Sequence, residues 1–409
     1  MDRDRAHFLL LNLGHFLDHL FTLVFATIAA LALTREWGLG YGDLLAYATP
    51  GFLAFGLFSL PAGWLADKWS RDGMMSVFFI GAGLCSILTS LAATPLQVGI
   101  GLFAIGMFAA IYHPVGLAIV TGKWRDTGMR IAVNGVFGNL GVASAALITG
   151  YFIDHGGWRM AFVVPGLVSI ALGVVHTAMR WPEIAAPHAA LATAGMAPPP
   201  SAALRATIVR VSAIVFATTA LSGIIFQSTT FALPKIFDER LQGLAASIAG
   251  VGHSGDIASV IGGFAFIVFA VASAAQLAVG KFLDRYGPRP VFMTVAVIQI
   301  VFFALMPGLR DTAALAAALG FMLGAFGQIP INDFMIGKMA SGAFRARIYG
   351  VRYVVSFSVL AAALPLISFV HTHHGFDALF HVLTGVAVAT LGVAACLPRT
   401  MPSAAAVAA

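Results

Sequence analysis

Ten apolar stretches of this sequence run for twenty residues or more without a single Asp, Glu, Lys or Arg, leaving aside the proline-broken 184–204: 44–66, 73–122, 131–153, 160–179, 211–234, 257–280, 290–309, 312–332, 353–376 and 378–398. A helix needs about 20 mainly apolar residues to cross a bilayer, and lipid forces a chain to satisfy its backbone hydrogen bonds internally. The window 73–122 holds two such spans, separated at Pro95 in Ala-Thr-Pro-Leu. A further span over about 8–33 contains one acid, Asp18, which brings the expected number to twelve. Charged residues make up 10% of the 409 residues and hydrophobic ones 59%, whereas roughly a quarter of a soluble domain is charged. The chain is therefore expected to be an all-α membrane protein whose solvent is the lipid bilayer.

The net charge of +6 does not point to nucleic acid, because the positive residues lie in short loops between apolar spans. Their placement sets orientation instead, since loops on the cytoplasmic side carry an excess of Lys and Arg. With the N-terminus in the cytoplasm, that side receives all of the 23 Lys and Arg except Arg35, Arg159, Lys235, Arg240 and Arg310. Both termini are thus predicted to be cytoplasmic. The charged N-terminal residues run straight into the first span, and no small-residue cleavage site follows, so no removable signal peptide is expected. Cys85 and Cys396 fall in apolar stretches far apart, without metal-ligand spacing, and are expected to be buried thiols.

Between spans six and seven, residues 182–204 gather Pro182, Pro187, Pro198, Pro199 and Pro200 among alanines. Such a segment reads as a flexible linker. It divides the chain into an N-terminal six-helix bundle (1–181), a cytoplasmic Pro/Ala-rich linker (182–204) and a C-terminal six-helix bundle (205–409), the layout of two parallel repeats.

The loops after spans two and eight share a pattern. The first reads Gly63-Trp-Leu-Ala-Asp67-Lys68-Trp-Ser70-Arg71, the second Gly280-Lys-Phe-Leu-Asp284-Arg285-Tyr-Gly287-Pro-Arg289. Glycine permits close helix approach at the membrane edge. A carboxylate at a helix C-terminus needs cationic partners or a neighbouring helix N-terminus, so each loop can act as a latch. This doubled pattern resembles the signature loop of the major facilitator superfamily, with Ser70 in place of a usual glycine. The resemblance covers essentially the whole chain. It implies a twelve-helix transporter fold, no enzymatic activity, and a gating role for Gly63, Asp67, Arg71, Gly280, Asp284, Arg285 and Arg289.

Ionisable groups inside hydrocarbon are costly and mark functional candidates. Span one carries His15, Asp18 and His19 at offsets that place them on one helix face. Asp18 lies about ten residues in, roughly 15 Å deep at 1.5 Å per residue. A carboxylate flanked by imidazoles suits reversible protonation, so these three are the expected proton-coupling site. Span four carries Tyr112-His113-Pro114; His113 lies at a similar depth to His15, and Pro114 frees the carbonyl of residue 110. Span five reads Asn134-Gly-Val-Phe-Gly138-Asn139-Leu-Gly141, where small residues favour tight packing and Asn139 is either interhelical glue or a pocket donor.

These three stretches resemble the fosmidomycin-resistance-like branch of the superfamily, in which His15, Asp18, His19, the Tyr112-His113-Pro114 turn and Gly138-Asn139-Leu140-Gly141 stand at matching positions. His19 replaces an acidic residue of that branch. The helix-five proline typical of antiporters is missing near Ala145 and Ala146.

The superfamily lines its cavity with helices one, four, seven and ten. The resemblance therefore makes His113, Gln227, Gln328 and Asn332 substrate-binding candidates, and Asn139 of span five is added to them as a pocket donor. Gln328 and Asn332 share a face of span ten around the kink expected at Pro330. Asp333 lies nearer the cytoplasmic edge and is expected to gate by pairing with Arg345, Arg347 or Arg352. Arg352 is the only arginine near an apolar interior, which argues against a polyanionic cargo. Met335 and Met339 share a face as core packing, no metal site is assigned, and His371, His373 and His374 are expected to be solvated. No cofactor is implied. The expected function is secondary active transport of a small solute by alternating access in a bacterial inner membrane, by a monomer. Coupling to protons and efflux of a drug or metabolite are favoured; the alternative is proton-coupled import of an organic anion or a transition metal.

Overall fold

The computed structural model describes residues 2–124, 127–186, 202–250, 256–339 and 342–398. All regular structure among them is helical. Eleven helical segments are long and apolar enough to cross a membrane. We label the spans α1 (Arg3–Glu36), α2 (Tyr41–Lys68), α3 (Arg71–Thr89), α4 (Pro95–Lys123), α5 (Thr127–Gly156), α6 (Met160–Ala185), α7 (Ala202–Arg240), α8 (Ile257–Tyr286), α9 (Pro288–Leu305) and α10 (Asp311–Gly327, continued by Ile329–Met339). The last segment, Gly342–Ala395, is two helices, because Gly375 has φ 73° and ψ −178°. Only glycine adopts that backbone readily. The break gives α11 (342–374) and α12 (376–395), and the expected twelve spans.

Local chemistry explains the boundaries. Ser70 caps α3 by accepting a 3.0 Å hydrogen bond from the Gly73 amide. Thr94 and Gln97 form a reciprocal capping box at α4, with Pro95 in the first turn. Gly287, at φ 79°, turns the chain between α8 and α9, and Pro288 starts the next helix. Two helices are interrupted at prolines. The helix of α4 breaks at Ala110–Ile111, before Pro114, and that of α10 at Gln328, before Pro330, where the ring clashes with the carbonyl four residues back. A π-helical turn, Ala29–Leu33, lies near the end of α1.

Three expectations need correction. The helix of α6 runs through Pro182 to Ala185, and α7 begins at Ala202, so helix occupies both ends of the 182–204 segment; its middle, 187–201, lies outside the described residues. Arg180 is consequently a buried residue inside a helix, so Arg352 is not alone near an apolar interior. The cysteines are not both buried: Cys85 is half-buried and Cys396 is exposed. Burial needs a packed neighbour on that helix face, which apolar sequence alone does not supply.

The chain forms two compact units. The first comprises Met1–Leu191, Phe231–Ala270 and Leu364–Thr372. Within it α1 packs on α5, α3 on α6 and α2 on α4. Small residues let these backbones touch: a Cβ on Gly141 would lie 2.2 Å from the Phe16 carbonyl oxygen, and one on Gly106 would lie 2.0 Å from that of Gly51. The start of α8 meets α5 in the same way, Gly150 against Ala258. There Asp154 Oδ2 accepts from the Ser259 amide at 2.7 Å and from its hydroxyl at 2.6 Å. His371, expected to be solvated, is half-buried in this unit, 3.1 Å from Glu239 and edge-on to Tyr41.

The second unit comprises Ala192–Thr230, Val271–Ala363 and His373–Ala409. Its core gathers Val211, Val215, Leu283, Phe292, Ile331 and Met335. Met335 is thus packing, as expected, while the side chain of Met339 lies outside the described residues.

Candidate functional site

The ionisable residues of α1 and the histidine of α4 meet inside the first unit. Asp18 is fully buried near the midpoint of α1. Its Oδ2 lies 3.3 Å from Nε2 of His113, and among the described residues no other side chain donates to either carboxylate oxygen. Buried polar groups are nearly always satisfied. One whose single polar neighbour is an imidazole suits a group that exchanges a proton.

His15 and His19 sit one turn apart, with their Nε2 atoms 3.2 Å from each other. Nδ1 of His15 donates to the backbone carbonyl of Asn134 at 2.8 Å. A carbonyl only accepts, so in the neutral ring Nδ1 carries the proton and Nε2 is a lone pair. It follows that His19 donates through Nε2 to His15. His113 stands edge-on to both rings, at 5.2 and 5.4 Å between centroids. One ring nitrogen of each histidine lies within 4.8 Å of the other two, a spacing from which three imidazoles could close on one transition-metal cation. The sequence placed Asp18 between His15 and His19; the structure instead gives it His113 as partner and pairs the other two with each other.

The room for this cluster is specific. A Cβ on Gly138 would lie 2.7 Å from the His15 ring, so α5 must have glycine there. The ring of Tyr112 stacks on His15 at 4.8 Å and 18°. Tyr112 donates its hydroxyl proton to the Leu11 carbonyl at 2.7 Å. The amide nitrogen of Asn134 donates both to that hydroxyl and to Asn12 Oδ1, each at 2.9 Å. Asn12, Tyr112 and Asn134 thus fix the tautomer and tilt of His15, and sequence reasoning gave none of them that task. For Asn12 and Asn134 the signal was a polar residue one turn before His15 or Gly138 in an otherwise apolar span; Tyr112 was marked only by its place beside His113. Asn139, the substrate candidate on α5, is half-buried and stands outside this network.

The other substrate candidates lie in the second unit. Gln328 Nε2 donates to the Ser222 carbonyl at 2.8 Å, and its Oε1 accepts from Gln299 at 2.9 Å. One turn further on, Asn332 Oδ1 accepts from Thr218 at 2.9 Å. Both amides therefore tie α10 to α7 here, sharing a face as their spacing predicts. Gln227 is half-buried.

The loop latches differ from each other. Arg71 donates to Asp67 Oδ1 through Nη2 at 2.9 Å and Nε at 3.2 Å. In the second copy Asp284 is exposed, Arg285 lies over the Tyr286 ring at 5.1 Å, and Arg289 is half-buried. The expected close approach at the glycines is not found: Gly63 has Pro114 at an ordinary 3.4 Å, and nothing lies within 4 Å of a Cβ on Gly280. Asp333 and Arg352 lie outside the residues whose side chains are described.

A second buried polar cluster follows directly after the first latch. Asp72 holds Arg180 Nη2 at 2.9 Å on one oxygen, with His7 Nε2 at 3.0 Å and His176 Nε2 at 3.8 Å from the other. Arg180 also donates to Glu183 at 2.7 Å, and Lys123 donates to His7 Nδ1 at 3.1 Å. This knot ties α1, α3, α4 and α6 together.

Residues 11–270 match the family model of the Major Facilitator Superfamily. The chain is 29% identical to the puromycin resistance protein pur8 of Streptomyces alboniger, over 35% of this chain and 29% of that protein. It is 28% identical to the niacin transporter NiaP of Acinetobacter baylyi, over 42% of this chain and 40% of that one. The matched region thus spans well under half the length of these relatives. A crystal structure of the peptide transporter POT in complex with sulfate superposes with a TM-score of 0.72 at 13% identity, covering 96% of each chain, which shows the fold. The chain belongs to the Major Facilitator Superfamily, and its long apolar helices are those of a multi-pass membrane protein.

Proposed function

We propose that this superfamily member is a proton-coupled secondary transporter that exports a small drug or metabolite by alternating access. The observation that carries the reading is Asp18, a fully buried carboxylate whose one polar neighbour among the described residues within ion-pair distance is the imidazole of His113, at 3.3 Å. Asp18 and the His15–His19 pair take up and release the proton, while His113 stands between them and the cargo. Asn139, Gln227, Gln328 and Asn332 complete the substrate contacts from the other spans once the bundles rearrange. Gln328 and Asn332 then exchange partners within α7 for partners on the cargo.

The paired loops act as latches on the cytoplasmic side, where Asp67 pairs with Arg71 in the first and Arg285 lies over Tyr286 in the second. The repeat units are the bundles 1–181 and 205–409 joined by 182–204, working as a monomer in a bacterial cytoplasmic membrane. The His15–Asp18–His19 and Tyr112-His113-Pro114 stretches support placement nearest the fosmidomycin-resistance-like branch. Likeness to a niacin transporter favours one runner-up, proton-coupled import of an organic anion.

Proteoliposomes carrying an internal pH dye test the proposal. Addition of puromycin, nicotinate or benzoate to wild-type vesicles should evoke proton movement for at least one of them, and its sign separates efflux from uptake. Asp18→Asn should insert normally and lose that movement. Full proton movement in Asp18→Asn would sink the assignment.

A further inference from the structure

His15, His19 and His113 face one another from two helices, and each offers one ring nitrogen within 4.8 Å of the other two. His15 and His19 are four residues apart on α1, the spacing by which two histidines on one helix face bind a metal. Their Nε2 atoms are 3.2 Å apart. Metal–nitrogen bonds of about 2.0–2.1 Å set tetrahedral ligand atoms about 3.3–3.4 Å from each other, so this pair already forms one edge of such a site. The third nitrogen reaches the same spacing by moving at most about 1.5 Å.

The surroundings also suit a metal. A ligating histidine donates its other ring N–H to a carbonyl or carboxylate, which fixes its tautomer. His15 does so: Nδ1 donates to the Asn134 carbonyl at 2.8 Å, which leaves Nε2 a lone pair inside the cluster. Tyr112 stacked on the ring and Gly138 against it hold that orientation. His113 has the buried carboxylate of Asp18 at 3.3 Å. Negative charge therefore stands beside the cluster, and among the described residues no lysine or arginine lies within ion-pair distance of it. All three rings are half-buried, and the His113 side chain is 24% exposed, which leaves the entry path a cation needs.

The other buried histidine set, His7 and His176 at Asp72, is unsuited to a cation. Arg180 sits on that carboxylate at 2.9 Å, and the Lys123 ammonium donates to Nδ1 of His7, which leaves the ring proton on Nε2. We propose that His15, His19 and His113 bind one divalent transition-metal cation, with Asp18 as the carboxylate beside His113. Three imidazoles select Zn2+, Co2+ or Ni2+ over Mg2+ and Ca2+, which take oxygen ligands. The site goes beyond the proposed proton step, because its occupancy is read without a gradient or a cargo.

The test is calorimetric titration of the tag-free, full-length protein in detergent with ZnCl2, CoCl2 and MgCl2. Zn2+ should bind saturably, one per chain at its tightest site, and Mg2+ should not bind. His113→Gln should weaken Zn2+ by at least about tenfold, and His19→Gln serves in the same way if His113→Gln does not fold. Asp18→Asn should weaken it roughly ten- to hundred-fold, the worth of a carboxylate that orients a ligand. Bound Co2+ should add visible absorption that His113→Gln loses. His155→Gln, near the C-terminal end of α5 and away from the cluster, should bind as the wild type. No saturable Zn2+ binding, equal binding of Mg2+, unchanged Zn2+ affinity in either folded histidine variant, or an equal loss in His155→Gln would overturn the proposal. Proton movement enters none of these readouts, so the site and the proposed coupling can fail separately.

Discussion

Nε2 of His113 on α4 stands 3.3 Å from Oδ2 of Asp18 on α1, and among the described residues no other side chain donates to either oxygen of that carboxylate. A buried carboxylate beside an imidazole suits proton exchange, and the neighbouring His15 is held in place by Asn134 and Tyr112.

Gly138 sets the position of His15, because a Cβ there would come within 2.7 Å of the ring. Gly138→Ala should therefore displace His15 and sharply reduce coupled transport. Gly135→Ala, three residues earlier on α5 with nothing within 4 Å of its Cβ position, should transport as wild type. Solute-evoked proton movement in vesicles compares the two.

Asn134→Leu removes the donor to Asn12 Oδ1 and to the Tyr112 hydroxyl. Leaving such buried groups unpaired costs about 1–3 kcal/mol. Thermal unfolding in detergent should show a clear fall in Tm. Tyr112→Phe, which loses the bond to the Leu11 carbonyl, should cost about 1 kcal/mol.

Asp72→Asn takes the carboxylate from Arg180, whose side chain is only 9% exposed. Breaking a buried pair on one side costs about 3 kcal/mol or more. The variant should be among the least stable in a thermal scan. Replacing Asp72 and Arg180 together should recover part of the loss, because no buried guanidinium then depends on Glu183 alone for its counter-charge.

Arg71 should behave in the opposite way. Its partner Asp67 is 53% exposed, and exposed pairs contribute no more than about 1 kcal/mol. Arg71→Ala should leave Tm nearly unchanged while altering transport rate, if the pair latches a conformation. Unaltered transport would remove the gating role.

The contrast between these sites shows what the sequence made legible. The spans were readable because lipid imposes one length and one composition, and the repeated loop was readable because it recurs in register. His15, Asp18 and His19 were found because charge in an apolar run is conspicuous, and Gln328 and Asn332 because four residues make one helical turn. Pairing was not readable. Asp18 chose a histidine on another helix over its own neighbours, and Asp72 met His7, His176 and Arg180 from other helices. Those contacts depend on how each helix is rotated and on close approach at Gly138, to the His15 ring, and at Gly141, to the Phe16 backbone, which periodicity does not fix. Helix ends were also misjudged where proline was read as a stop, since Pro182 lies inside the last turn of α6.

Infrared difference spectroscopy of the purified full-length protein between two pH values tests the role of Asp18 most directly, with no need for a known cargo. The account predicts a protonated-carboxyl band at the lower pH that is lost in Asp18→Asn and displaced in frequency in His113→Gln. Difference spectra that are the same with and without Asp18 would contradict it.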